Sequence, residues 1–257
     1  MAAPVASSAL RVSFVGLTLF VAALFVAAVY WSARRGGADR RAAFRRSAVA
    51  AAASVAWIAL TGVAAARGAL HFEAPPTMLA LFPAVLAIAL GLALSPLGKQ
   101  IALGLPLAAL VGFQGFRVLV ELLLHRAYVE GLMPVQMSYS GRNFDIVTGI
   151  TALILGAWLA TGDRRARGLV FAWNTLGLGL LVNVVVVAVL SAPTPLRVFM
   201  NEPSNVWITY APWVWLPAVL VLAALSGHVL VYRRLAAESV AAVPTTPHAG
   251  ARAALGR

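Results

Sequence analysis

The stretch that decides the fold runs from Ser13 to Trp31 and reads SFVGLTLFVAALFVAAVYW. It contains no charged residue, and it is close to the roughly 20 apolar residues that cross a bilayer as an α-helix. The link that follows, 32–46, carries six arginines, which is typical of a cytoplasmic loop. Because residues 1–10 contain no Lys or Arg and the apolar segment is long, we interpret it as a retained first helix rather than a signal peptide.

Apolar runs of similar length recur along the chain, which has 257 residues, 61% of them hydrophobic and 11% charged. Soluble domains have about 25% charged residues, so the composition excludes a water-soluble globule. Helices satisfy their own backbone groups in lipid. We therefore predict an all-α polytopic membrane helix bundle over 1–234, with seven transmembrane spans at about 12–31, 48–67, 77–97, 101–124, 144–161, 169–191 and 209–232.

The Lys and Arg residues predict that the N-terminus lies outside and the C-terminus inside (N-out/C-in). In that orientation the cytoplasmic segments hold six, one, three and four of them, 14 in all, and the outer segments hold five. Cytoplasmic loops carry such an excess. The net charge of +12 is therefore explained by the basic cytoplasmic segments of a membrane protein. We predict the lipid bilayer, not nucleic acid, as the partner. Residues 235–257, rich in Ala, Thr and Pro, are predicted to be a disordered cytoplasmic tail.

Two proline motifs raise the question of an internal repeat. Phe82-Pro83-Ala84-Val85-Leu86 lies in the third predicted span and Leu216-Pro217-Ala218-Val219-Leu220 in the seventh. Each follows an outer loop with prolines. Two parallel three-helix units joined by the fourth helix, a 3+1+3 arrangement known from transporters, would give this placement. The competing interpretation is chance recurrence of four common residues in an apolar sequence.

The fourth predicted span carries a polar stripe. Gln114, Arg117, Glu121 and His125 fall within about 80° of one helix face, and the remaining face is Leu, Val and Phe. A charge in the middle of a bilayer costs at least about 2.5 kcal/mol, so we expect this face to look into the bundle or a water-filled cavity. Arg117 and Glu121 are spaced i,i+4 and are predicted to pair within the helix. The N-out orientation places the stripe in the extracytoplasmic half.

The outer loops add polar residues at the same level. Arg142 and Asn143 precede the fifth span, and Asp145 stands at its start, where a carboxylate caps free N–H groups. Capping is our interpretation of Asp145. Asn183 in the sixth span is expected near the midplane and within reach of Gln114 or Thr148 if the helices adjoin. Hydrogen bonding between helices is the role that we favour for Asn183.

Three motifs carry a resemblance. They are Phe116-Arg117 with Val120-Glu121, then Gly141-Arg142-Asn143-Phe144-Asp145-Ile146 with Thr148-Gly149 and Thr151-Ala152, and finally Trp215-Leu216-Pro217-Ala218. Over roughly 110–230 the sequence resembles a group of uncharacterised bacterial multi-pass membrane proteins. The resemblance implies a seven-helix membrane protein with no known activity, and it draws attention to the polar residues of these motifs without assigning a reaction.

Metal and cofactor chemistry has little support in the sequence. There is no Cys, and the four His are scattered, so no paired-His motif is available to hold zinc. The last span has no Lys that could form a Schiff base with retinal. We predict no metal and no cofactor. His228, near the inner end of the seventh predicted span, is interpreted as a packing residue.

Three functions remain open. The first is a small-solute permease or carrier of the bacterial cytoplasmic (inner) membrane, with Arg117 as the anion-facing charge and Glu121 as its partner or a proton carrier. The second is a nonenzymatic sensor or an accessory subunit of a cell-envelope complex. The third, a membrane enzyme on lipid-linked substrates, has no constellation with specific spacing, and no catalytic residue is predicted. The candidates for a substrate or ion site are Gln114, Arg117, Glu121, His125, Arg142, Asn143, Asp145 and Asn183.

Overall fold

The computed structural model describes residues 5–73, 77–162 and 167–241. In these ranges the chain is helical, without strands, as predicted. The helices are α1 (Ser8–Arg35), α2 (Arg40–Ala66), α3 (Thr77–Leu94), α4 (Pro96–Gly104), α5 (Leu107–Phe113), α6 (Phe116–Val129), α7 (Ile146–Ala160), α8 (Arg167–Leu190) and α9 (Leu222–Ala241), with short 3₁₀ helices at Val135–Met137 and Trp207–Thr209.

Five spans among the described residues are long and apolar enough to cross a membrane. A sixth is added if the bent pair Ala80–Leu94 and Pro96–Gly104 is one span. The helix at the fifth predicted span, α7, has only 15 residues. The protein is thus a helical membrane protein with five to six candidate spans, fewer than the seven predicted. The five are Ser8–Arg35, Arg40–Ala66, Leu107–Val129, Arg167–Leu190 and Leu216–Ser239.

The chain bends by 60° between α3 and α4. The Ser95 side chain caps α4 by accepting from the Gly98 nitrogen, and Pro96 occupies the first turn. A Cβ at Gly98 would lie 2.2 Å from the Ala93 carbonyl oxygen, so a side chain there would block the turn. Because of this break, α4 is a separate helix, and the predicted fourth span starts at Leu107 rather than at 101.

The last span begins later than predicted. A π-helical turn, Leu216–Val221, leads into α9, which continues to Ala241. The expected span at 209–232 is therefore shifted toward the C-terminus, and the first part of the predicted tail is helical. The rest of that tail, 242–257, lies outside the described residues. The proline repeat stays a prediction. The two helices that carry the motifs, α3 and α9, pack side by side, but Pro83 lies inside an α-helix and Pro217 in a π-helical turn, so the two prolines have different local structures.

Contacts between segments show which helix ends lie together. At one end Arg46 donates to the Gln100 side chain, and Arg234 donates to the Leu103 carbonyl at 2.9 Å; we call this the arginine-rich end. At the other end Ser7 contacts Glu130, and the long connections after α6 and α8 meet; we call this the loop end. The polar stripe begins at Gln114, just after α5, and continues along α6 from the middle of the bundle toward the loop end.

Candidate functional site

The polar stripe faces the interior of the bundle, as predicted. Gln114, Arg117 and Glu121 are 0%, 2% and 1% exposed. Leu119 and Leu122, on the opposite face of α6, are exposed where lipid would surround the helix. This orientation keeps the charged groups out of hydrocarbon, where they would be costly.

Arg117 forms a fork-shaped ion pair with Asp145. Its Nε donates to Oδ2 at 2.6 Å, and Nη2 donates to Oδ1. Two parallel bonds from a guanidinium to a carboxylate make a strong and geometrically specific pair. The predicted pairing of Arg117 with Glu121 is wrong. The capping prediction for Asp145 is wrong too, since its side chain accepts from no free N–H of α7.

Close packing of α7 on α6 explains this choice of partner. A Cβ at Gly149 would lie 2.7 Å from the Val118 nitrogen, so the two backbones touch where a larger residue would hold them apart. Small residues allow membrane helices to approach in this way. The start of α7 therefore lies beside Arg117, and Asp145 turns toward the guanidinium rather than along its own helix.

The same guanidinium contacts His228 from the last helix. Its Nη1 lies 2.8 Å from Nε2 of His228, and because a guanidinium only donates, Nε2 must accept. The other ring nitrogen, Nδ1, lies 2.8 Å from Oδ1 of Asn174, whose amide nitrogen donates to the His228 carbonyl at 3.1 Å. The geometry assigns a neutral imidazole with its proton on Nδ1, fixed between Arg117 and Asn174.

Glu121 has a different partner. The amide nitrogen of Asn143 lies 2.9 and 2.8 Å from the two Glu121 oxygens and 3.0 Å from the Met137 carbonyl. The Asn143 oxygen accepts from the backbone nitrogen of Asp145 at 3.0 Å. Asn143 is fully buried. The Asn143 amide thus links the Glu121 carboxyl to the start of α7. Glu121 and Asp145 therefore belong to one cluster.

The charges of this cluster do not balance if every acid is ionised. Arg117 contributes one positive charge, and Asp145 and Glu121 contribute two negative charges, while His228 is neutral. An uncompensated buried charge is strongly unfavourable. Only the Asn143 amide donates to Glu121 among the described residues. Balance therefore requires one more cation, and the simplest is a proton on Glu121.

A cavity of about 50 Å³ adjoins the cluster and is lined by Arg117, Glu121 and Asp145 together with apolar side chains. The π-helical turn supplies Leu216, Pro217 and Leu220 to its wall. The cavity is mostly apolar but has ionisable groups at one part of its wall, and its size leaves room for water, which needs only about 10–15 Å³ of space for its centre. The ionisable groups thus share one small space inside the bundle.

The remaining candidate residues lie elsewhere. His125 stacks on Tyr139 with ring centroids 4.3 Å apart, at the loop end and outside the cluster. Arg142 is exposed, with its guanidinium 5.3 Å from the centre of the Phe199 ring. Asn183 donates to the Arg142 carbonyl at 2.8 Å.

Gln114 is also separate from Asn183, because its amide donates instead to the Ala224 carbonyl at 2.9 Å. The expectation that Asn183 reaches Gln114 or Thr148 is therefore wrong, and the Thr148 hydroxyl donates to Asp145. The predicted hydrogen bond between helices is wrong as well, since Asn183 donates to a carbonyl of the loop before α7.

The loop end is covered by its own hydrogen bonds. Gln136 donates to the Ser191 hydroxyl and accepts from Asn201, which joins the two long connections over the cluster. Glu130 accepts from the backbone nitrogen and the hydroxyl of Ser7 at 2.8 and 2.6 Å. These bonds lower the pKa of Glu130 to about 2, with a smaller contribution from Arg126.

Sequence reasoning missed His228 and its partner Asn174 as members of this cluster. A usable signal is Gly177, one turn after Asn174. A Cβ there would lie 2.8 Å from the Cε1 atom of His228, so the glycine leaves the space that the imidazole fills. A small residue one turn from a buried amide indicates space for a large partner on another helix.

Comparison with known proteins adds a family but no activity. A family described as Domain of unknown function (DUF8737) matches residues 74–236, which includes every member of the cluster. No curated protein and no solved structure matches the chain.

Proposed function

The chain belongs to the DUF8737 family, whose description assigns no activity, and we propose from its buried cluster that it is a proton-coupled small-solute permease or carrier. The proposed site is the cluster formed by Arg117, Glu121, Asn143, Asp145 and His228. In this proposal Glu121 carries the proton, and Arg117 is the charge that faces an anionic solute group when its pair with Asp145 opens.

The observation that carries the proposal is the missing positive charge at Glu121. A purely structural ion pair needs one acid for one base, and Arg117 already has Asp145 at 2.6 Å. Among the described residues the second buried carboxyl accepts a hydrogen bond from one amide alone, which costs stability in a protein that merely needs a stable bundle. Ionisable residues inside membranes are typically found in proton relays and substrate paths, which gives this carboxyl a purpose.

The surroundings of Glu121 supply the parts that a carrier needs. The cavity beside it is bounded by the π-helical turn Leu216–Val221. Such turns occur frequently at functional sites, because their irregular hydrogen bonding allows local rearrangement. We propose that movement of this turn enlarges the cavity during transport.

The proposed topology has seven crossings, N-out/C-in, in the bacterial cytoplasmic (inner) membrane. Contacts at the arginine-rich end support this topology. Arg46 and Arg234 both contact α4 and so lie at the same end of the bundle, as they must if α3 and α7 each cross the membrane. The positive-inside rule assigns that end to the cytoplasm. The cluster then extends from the middle of the membrane, at Arg117 and His228, into the extracytoplasmic half.

The test compares strains in which the gene is deleted, restored, or restored as Glu121→Gln. Metabolites inside the cells and in the medium are measured for each strain, with Glu202→Gln as a control at an exposed loop carboxylate. We expect the wild type and the control to restore the uptake of at least one solute and Glu121→Gln to fail, with equal amounts of protein in the membrane. Full restoration by Glu121→Gln would reject the proton-carrier role.

A second candidate function is a sensor or an accessory subunit of a cell-envelope complex. The observation that favours it is a row of exposed apolar side chains on the connection after α8, namely Leu196, Val198 and Met200. Apolar residues exposed on a loop can mark a docking surface. If docking is the function, a photoreactive residue at position 200 should crosslink to one protein in the membrane. Deletion of the gene should then leave the uptake of all solutes unchanged.

A further inference from the structure

A large apolar cleft is separate from the small cavity at the buried cluster, although Phe116 lines both. Its volume is about 1220 Å³, and it is bordered by the α1–α2 hairpin on one side and by α5, α6 and α9 on the other. Ligand pockets for drug-sized molecules have about 300–1,000 Å³, so this space suits a longer molecule. Most of the cleft is in the half of the bundle next to the arginine-rich end, between Phe20–Trp31 of α1 and Arg45–Ile58 of α2.

The few polar side chains in the cleft wall are already used by the protein itself. Ser54 donates to the Ala50 carbonyl at 2.9 Å, and Trp57 donates to the Ala218 carbonyl at 2.8 Å. Ser226 donates to the Ala89 carbonyl at 3.3 Å. These groups have no hydrogen left to donate to an occupant, and the rest of the wall away from Arg45 and Arg46 is apolar, so the cleft favours an occupant with an apolar body.

Charge appears only at one rim. Arg45 and Arg46 line the cleft where α2 begins, and both are exposed. Arg46 contacts Gln100, whereas Arg45 has no hydrogen bond or ion pair with any residue that the structure describes. An apolar slot that ends at two arginines complements a molecule with hydrocarbon chains and an anionic head. Basic pockets between transmembrane helices bind anionic phospholipid headgroups in this manner.

We propose that this cleft, which we call the α1–α2 cleft, is a binding site for an anionic phospholipid, with its acyl chains along the apolar walls and its phosphate at Arg45 and Arg46. The charge complementarity selects this occupant over a transmembrane helix, because a helix would bring its own basic flank to the same side. The inference is independent of the proposed transport function, which concerns the cluster around Glu121.

The test titrates delipidated protein in detergent with phosphatidylglycerol or phosphatidylcholine carrying the same palmitoyl and oleoyl chains, and counts bound lipids by native mass spectrometry. Each arginine near a headgroup contributes about a fivefold gain in affinity, so Arg45→Ala with Arg46→Ala should weaken phosphatidylglycerol binding roughly 30-fold. Binding of phosphatidylcholine should change little. The matched control is Arg40→Ala with Arg41→Ala, two exposed arginines on the same helix that do not line the cleft.

A second pair of variants tests the acyl-chain part. Ala53 lines the cleft and Ala59 of the same helix does not. Ala53→Trp should reduce binding of phosphatidylglycerol while Ala59→Trp leaves it unchanged. Equal affinity for the two lipids, or an equal loss in the arginine pair and its control, would overturn the proposal. Unchanged lipid binding in Ala53→Trp would overturn the placement of the chains in the cleft.

Discussion

Replacing the two acids of the buried cluster, one at a time and together, tests how its charge is balanced. Asp145→Asn removes the counter-charge of a guanidinium that is 2% exposed. Breaking a buried pair from one side costs about 3–5 kcal/mol. We expect about 3 kcal/mol here, at the lower end, because Glu121 can lose its proton and supply the missing negative charge.

Glu121→Gln should behave differently. A protonated Glu and a Gln have nearly the same shape and are both neutral, although the Gln amide has two N–H donors and the acid has one O–H donor, so we expect a loss below about 1 kcal/mol. The double variant removes both acids and leaves Arg117 without any counter-charge. Its loss should therefore exceed the sum of the single losses by about 1–3 kcal/mol, the range found for residues that share a network.

The free energies of unfolding are measured by reversible unfolding in mixed micelles, where the denaturing detergent is increased stepwise. The control is Glu202→Gln in the loop ion pair with Arg197, and because the Glu202 carboxylate is exposed to solvent, this variant should leave stability nearly unchanged. The charge-balance reasoning is refuted if Glu121→Gln is as destabilising as Asp145→Asn, or if the double variant shows only the sum of the two single effects.

Three further predictions concern packing and pH. Gly177→Ala should lose about 1–3 kcal/mol of stability because its Cβ would lie 2.7 Å from a neighbouring methyl group, whereas Gly179→Ala, with nothing within 4 Å, should be tolerated; thermal unfolding of the two variants checks this. Trp57→Phe should lose about 0.5–1.5 kcal/mol with its indole hydrogen bond to the π-helical turn, measured in the same way. The lowered pKa of Glu130, about 2 against an ordinary 4.5, means that its bonds to Ser7 stabilise the start of α1 above about pH 4.5 and are lost as the pH falls toward 2. Amide exchange at the start of α1 should then rise in that window, and exchange that does not depend on pH there, after correction for intrinsic rates, would contradict the assignment.

The inward orientation of the polar stripe could be predicted because it depends on one helix and one rule. At 100° per residue, Gln114, Arg117 and Glu121 share a face, and this face turns inward because contact between charged side chains and lipid is unfavourable. His125 follows the same periodicity but lies at the loop end, where water or headgroups replace hydrocarbon. Periodicity gives the direction of a side chain, and the depth along the helix decides whether burial follows.

The partners of the stripe could not be predicted, because they depend on the distance between helices. The spacing of Arg117 and Glu121 favours a local pair, and Asp145 fits a capping position. The close contact at Gly149 brings the start of α7 to Arg117 and overrides both local preferences. His228 was misplaced for a different reason. The predicted span at 209–232 puts it near the inner end, whereas the span Leu216–Ser239 puts it in the middle.

The position of the break between α3 and α5 could not be predicted from hydropathy. The predicted spans 77–97 and 101–124 leave a gap at 98–100, whereas the helices are separated at Ser95 and again at Leu105-Pro106, both of which have apolar neighbours. The proline at the first turn of α4, together with the serine cap before it, marks the new helix start. These local signals are stronger evidence for a helix boundary than the average hydrophobicity around them.

The most direct test of the central claim is the protonation state of Glu121 in the folded protein. Infrared difference spectroscopy between the wild type and Glu121→Gln, in lipid at pH 7, resolves the C=O stretch of a protonated carboxyl from the bands of a carboxylate. We predict that the wild type has a carboxylic acid band that is absent in Glu121→Gln and present in Glu130→Gln. A difference spectrum that contains only carboxylate bands would show that Glu121 is ionised and would contradict the charge balance on which the proposed function rests.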